Sequence, residues 1–167
     1  MSRLLLAIAI FGTATATAAV PGPGCAPILS AMAKTLLVDH ATLTQSNGQM
    51  TRGITAGGVN YLQIDNAWKV SSFSIKDNQA RSDENLRNAQ SYTCQSMPDS
   101  NVDGVAVANY RTRTESDGTV VESRISISKA SGLAIQVEND LDSGDSIKSH
   151  YVTHYSYTGI HAPPVQK

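Results

Sequence analysis

The side chains best suited to chemistry crowd into one stretch. "SHYVTHYSYTGIHAPP", residues 149–164, holds three of the four histidines and three of the six tyrosines. Imidazoles at 150 and 154 would suit a metal ion on a helix, where i and i+4 share a face. The stretch instead carries β-branched and aromatic residues with period two, which predicts a strand. His150, Val152, His154 and Ser156 then face one way, and Tyr151, Thr153, Tyr155 and Tyr157 the other. Four residues of strand set the two imidazoles ~13 Å apart. Both nitrogens would need to come within about 2.0–2.1 Å of one zinc ion, so no metal site is expected from this pair. The tyrosines read either as half-buried sheet residues or as the lining of a groove for an apolar ligand. His161, in "GIHAPP", is expected to be exposed.

No other constellation supplies catalysis. The chain has no G-x-S-x-G, H-E-x-x-H, C-x-x-C or glycine-rich phosphate loop. The acid pairs Asp140/Asp142 and Asp83/Glu84 lie in polar, turn-like surroundings and read as solvated. No catalytic residue, metal or cofactor is expected.

The elements that position these residues begin after a leader. "MSRLLLAIAIFGTATATAA" sets Arg3 before the apolar run Leu4–Phe11, with small residues behind it. This is the layout of a signal peptide over residues 1–18, cleaved between Ala18 and Ala19. The run is too short for a membrane-spanning helix, and no other stretch approaches that length. The mature chain is expected to be soluble and exported, periplasmic or secreted. Cys25 follows "GPG" rather than the apolar run itself, which argues against a lipidated cysteine. Residues 19–24, "AVPGPG", read as a tether, 25–162 as a single domain and 163–167 as a C-terminal tail.

Export gives the two cysteines meaning. Cys25 and Cys94 form an even pair in an oxidising compartment and are expected to make one disulfide. Closing a loop of roughly 70 residues would stabilise the fold by about 4 kcal/mol. Removing Arg3 leaves twelve basic against fourteen acidic residues. A net charge of about −2, with no Lys/Arg cluster, excludes a nucleic-acid backbone or anionic headgroups as partners. With one Trp, and Phe73 the only Phe left after cleavage, the core must be aliphatic.

"CAPILSAMAKTLLVDH" reads as a helix with Pro27 in its first turn. Ile28, Met32 and Leu36 make its apolar stripe, flanked by Leu29, Ala33 and Leu37. The remainder punctuates as an antiparallel sheet. "SNG" (46–48), Asp65-Asn66, Asp117-Gly118 and "SG" (131–132) are turns. "GQMTRGIT", "NYLQI", "AWKV", "VAVANYRTRT", "VVESRISIS" and "LAIQVEND" are strands. "SFSI" is read as strand-like, with Phe73 and Ile75 on one face. "KDNQARSDENLRNAQSY" is read as a surface loop with a turn or two of helix near 83–89. Val121, Ser123, Ile125 and Ile127 are expected on one face, and Leu133, Ile135 and Val137 together. The predicted class is α+β: a curved antiparallel sheet, one face buried under an N-terminal amphipathic helix.

Asp103-Gly104, Tyr110, Ser131-Gly132-Leu133 and Ala162-Pro163, with the Trp68 strand "NAWKV" ahead of them, occur in an order that resembles the periplasmic lipoprotein carrier LolA and its mycobacterial lipoprotein-type relatives. The resemblance runs over most of the mature chain. It implies a half-barrel whose concave apolar face is covered by helices and can hold an acyl chain or another hydrophobic molecule. Ile28, Met32, Leu36, Val121, Ile125, Ile127, Leu133, Ile135 and Val137 would form the walls, with Trp68 and Phe73 as larger contacts. The expected function is therefore non-enzymatic binding of a hydrophobic or lipid ligand between helix and sheet. The alternative is an envelope protein–protein interaction module (an inhibitor, immunity-type or assembly partner) whose own helix fills the apolar face.

Overall fold

The computed structural model describes residues 21–144 and 148–165. The leader and its cleavage site lie outside them. A 3₁₀ turn, Pro23–Cys25, leads into α1, Ala26–Leu37. Four strands follow: β1 His40–Ser46, β2 Gln49–Ala56, β3 Val59–Ile64 and β4 Ala67–Val70. The second helix, α2 Ile75–Asn88, precedes β5 Ser91–Val102, β6 Val105–Ser116, β7 Thr119–Ser128, β8 Ala134–Asp142 and β9 Lys148–Ser156.

Among the described residues nine strands pair antiparallel in one open, curved sheet, ordered β4-β3-β2-β1-β9-β8-β7-β6-β5. It is two meanders, β1–β4 and β5–β9, joined where β1 pairs with β9. The α+β half-barrel is thus the observed fold. Its hairpins are tight because both turn residues sit at positive φ, as at Asn47-Gly48 (48° and 79°) and Asp117-Gly118 (47° and 76°). That geometry matches the strand twist and favours Asn, Asp and Gly. Because β4 and β5 are the two outer edges, the α2 segment between them must cross the mouth of the sheet.

Three sequence expectations are corrected here. The polar stretch read as a loop is α2. Its start is fixed by a capping box: the Asp77 N–H donates to Ser74 Oγ (3.1 Å) and the Ser74 N–H to Asp77 Oδ2 (2.8 Å). No β-branched residue follows Ile75 within it, which suits a helix that buries none of its residues. Ser74 also ends the extended chain, so Phe73 and Ile75 do not share a strand face. Phe73 is instead 44% exposed, with the Arg81 guanidinium 4.3 Å above its ring.

The second correction concerns α1. Its buried face is Ile28, Ala31 and Thr35. Met32 packs at the side, Leu36 is half-buried and Leu37 is exposed. The helix stops at Leu37, and the residues after it open into β1, a strand the sequence reading left unassigned.

The third is a β-bulge. Ser126 pairs with Gln136 but Ile127 with Ala134, leaving Ile135 as the extra residue. Ala134 therefore shares the inner face with Val137, and Leu133 and Ile135 do not join the core. That core is Ile28 and Ala31 of α1 against Ile125, Ile127, Ala134 and Val137.

Candidate functional site: a groove between the helices and the sheet

The helix docks beside the bulge. Ala134, which pairs with Ile127 there, gives its backbone groups to side chains. The Ala134 N–H donates to Thr35 Oγ1 of α1 (3.0 Å), and the Ala134 carbonyl accepts from the Tyr157 hydroxyl. Among the described residues no buried side-chain nitrogen or oxygen lacks a partner. The disulfide expected from the sequence is formed: Cys25 and Cys94 are joined, with Cα atoms 5.2 Å apart. It pins the start of α1 to the inner face of β5, since Cys94 pairs with Thr112, whose neighbour across β7 is the inward-facing Ser123.

Held in this way, α1 covers β7 and β8 but not the whole concavity. A groove of about 570 Å³ runs between α1, α2 and the sheet. Of the residues expected to form its walls, Ile28, Met32, Val121, Ile125 and Val137 come together there. Ile127 lies in the core instead, and Leu36, Leu133 and Ile135 do not line the groove. Trp68 is on the opposite face, in a separate cleft with Leu43, Arg52 and Ile54. Sequence reasoning missed Ser82, Asn85 and Leu86, which α2 contributes, and Thr112, Thr114 and Asn139, which with Ser123 make a hydroxyl and amide wall. Period-two alternation placed Ser123 on the face of Ile125, and carried two residues past Val137 it would have placed Asn139 there as well. Asp117 is the one charged residue lining the groove among those described.

The opening question about residues 149–164 resolves on the two faces of β9. His150 and His154 point away from the helices and meet different acids: Asp140 at 2.8 Å and Asp103 at 3.8 Å. The tyrosines turn inward. Tyr151 lines the groove, Tyr155 packs on the core, and Tyr157 caps Ala134. His161 is exposed, as expected.

Burial pushes the Tyr155 hydroxyl up to about 12, with the neighbouring Tyr157 adding to the effect. An unfolded tyrosine ionises near 10, so between about pH 10 and 12 the folded chain holds a proton that the unfolded chain has lost. Stability from this residue is complete below pH 10 and declines as pH rises through that window. Urea denaturation at pH 9 and pH 11 should show the parent losing about 1 kcal/mol that Tyr155→Phe does not lose.

No protein-family model matches the chain, and no curated protein does. Solved structures do. The lipoprotein LppX of Mycobacterium tuberculosis superposes with a TM-score of 0.50 at 10% identity, over 81% of this chain and 96% of LppX. The chain has the fold of LppX. MucB (TM-score 0.45, 11% identity, 86% of this chain and 62% of MucB) is a more distant match. So is an outer membrane lipoprotein-sorting protein domain from Vibrio parahaemolyticus (0.30, 10%, 83% and 94%). Among the described residues no helix is long and apolar enough to cross a membrane.

Proposed function

We propose that this is an exported, non-enzymatic protein of the envelope that binds a hydrophobic or lipid ligand in the groove between α1, α2 and the sheet. The observation that carries the reading is the groove itself. Its 570 Å³ falls within the 300–1,000 Å³ range of small-molecule sites. Its walls are aliphatic beside α1 and uncharged but hydrogen-bonding toward Asn139 and Tyr151. An acyl chain entering it would gain about 0.8 kcal/mol per buried methylene. The names of the structural relatives, a lipoprotein and a lipoprotein-sorting domain, are in keeping with an envelope setting. So is the disulfide, which fits an oxidising compartment. Cleavage after Ala18 would release the mature chain there.

Native mass spectrometry of protein extracted from cells should show a bound lipid, and the emptied protein should take up a fluorescent fatty acid. Val121→Trp, which fills the groove from β7, should weaken that uptake at least about tenfold, equivalent to ~1.4 kcal/mol, without a comparable fall in melting temperature. A chain isolated empty that takes up no probe would overturn the reading.

A second reading is favoured by the β3–β4 hairpin. Leu62 (39%), Ile64 (45%) and Val70 (56%) are exposed there, and among the described residues β4 is an edge strand. An envelope protein could add a strand to it. A pull-down from envelope extract that returns one stoichiometric protein and no lipid would favour this reading over the first.

A further inference from the structure

The face of the sheet turned away from the helices carries a charge lattice, and Asp140 departs from its pattern. Glu122 is held by Arg111 and by Arg113 (3.3 Å), and Glu138 by Arg124 (2.8 Å). Asp142 faces Lys148 across β8 and β9 at 3.3 Å. Each of these carboxylates has a permanently charged donor. Asp140, directly opposite His150 in the same strand pair, has only an imidazole among the described residues. A lysine or arginine there could only donate, whereas an imidazole nitrogen can also bind a metal ion. Glu138, two residues along β8, projects from the same face.

We propose that Glu138, Asp140 and His150 bind a divalent transition-metal ion of the zinc type on the outer face of the sheet. One ligand atom from each lies within 4.8 Å of the others, and the Asp140 Oδ1–His150 Nδ1 separation is already 2.8 Å. Tetrahedral zinc with bonds of about 2.0–2.1 Å needs ligand atoms about 3.3 Å apart. The remaining adjustment is ~1.5 Å of side-chain movement, small for Asp140 and His150, which are half exposed, while Glu138 is more enclosed. Two carboxylate oxygens and one imidazole nitrogen are zinc-type donors, and three protein ligands leave a position open to water or a second molecule. The open cleft beside Asp140 and His150 provides the room. Arg124 competes, because it holds one oxygen of Glu138 and must share that carboxylate with the ion. The site lies on the opposite face from the groove and does not depend on what the groove binds.

The test is isothermal titration calorimetry of the mature, disulfide-bonded chain with zinc chloride. No free thiol is present among the described residues to confound it. One ion per chain is expected. His150→Ala and Asp140→Asn should each weaken binding by at least about a hundredfold, more than loss of an outer hydrogen-bond partner typically does. His154→Ala and His161→Ala should leave it unchanged. Arg124→Gln, by freeing Glu138, should tighten binding several-fold, which attachment to a lone surface histidine would not do. Absence of saturable binding, or binding that survives His150→Ala, would overturn the proposal, as would an Arg124→Gln variant that binds no more tightly than the parent.

Discussion

Replacing both Cys25 and Cys94 with alanine should lower the stability of the folded chain by about 2–4 kcal/mol, read as a shift in urea midpoint. The two residues are 69 apart in sequence, and the cross-link denies the unfolded chain the freedom of that whole segment. The chain-entropy account gives about 4 kcal/mol, and distributed losses elsewhere usually reduce it. The location decides what else changes. Cys25 is 1% exposed and opens α1, and the cross-link clamps it to the edge strand β5. Thr35 and the core contacts of Ile28 and Ala31 would still hold the rest of the helix to β7 and β8. The variant should therefore fold, with a frayed start to α1 that hydrogen exchange at residues 26–29 would reveal. Because Ile28 and Leu29 line the groove, ligand uptake should fall along with stability. Unchanged stability would mean that Thr35 and the hydrophobic face hold α1 without the cross-link.

What could be read from the sequence divides along physical lines. Strand and turn signals are local, and the hairpins around Asn47-Gly48, Asp65-Asn66 and Asp117-Gly118 were legible because each pair supplies the positive φ its turn requires. The Cys25–Cys94 pair was legible because two cysteines allow one connectivity. The helix α2 was legible only as a turn or two near 83–89. Its start rests on a capping box and its length on the absence of β-branched residues, and it has no apolar stripe to announce it. With α2 left on the surface, one whole wall of the groove was missing from the expected site. The bulge at Ile135 was equally hidden. One inserted residue reverses the alternation, so Leu133 and Ile135 were placed in a wall from which Ala134 displaced them. Trp68 was misplaced for a different reason. Its strand was right, but which face of a strand meets the helices depends on the register of β1 with β9, a pairing between the two ends of the chain.

Ile28→Ala tests whether core and groove are one structure. Ile28 is 1% exposed, belongs to the core cluster and also lines the groove. Truncating a buried Ile to Ala destabilises by about 2–5 kcal/mol, the spread reflecting how far the site can collapse around the vacancy. Here the vacancy opens into existing space, so the walls have little to collapse onto, and water gains access at one side. We expect a loss of about 3 kcal/mol in the ligand-free protein. The diagnostic is what a ligand does. A molecule that binds only the folded chain raises stability by RT ln(1 + [L]/Kd), about 2.7 kcal/mol at a hundredfold excess over Kd. If an acyl chain can extend into the space vacated by Ile28, its affinity rises and it recovers part of the loss. Ile127→Val offers the contrast: Ile127 is 7% exposed and in the same core but does not line the groove. Its loss of about 0.5–1.5 kcal/mol should leave the fatty-acid affinity where it was. Denaturation of both variants with and without the fatty acid therefore distinguishes a groove continuous with the core from one sealed off by it, and equal ligand responses in the two would place the binding site elsewhere.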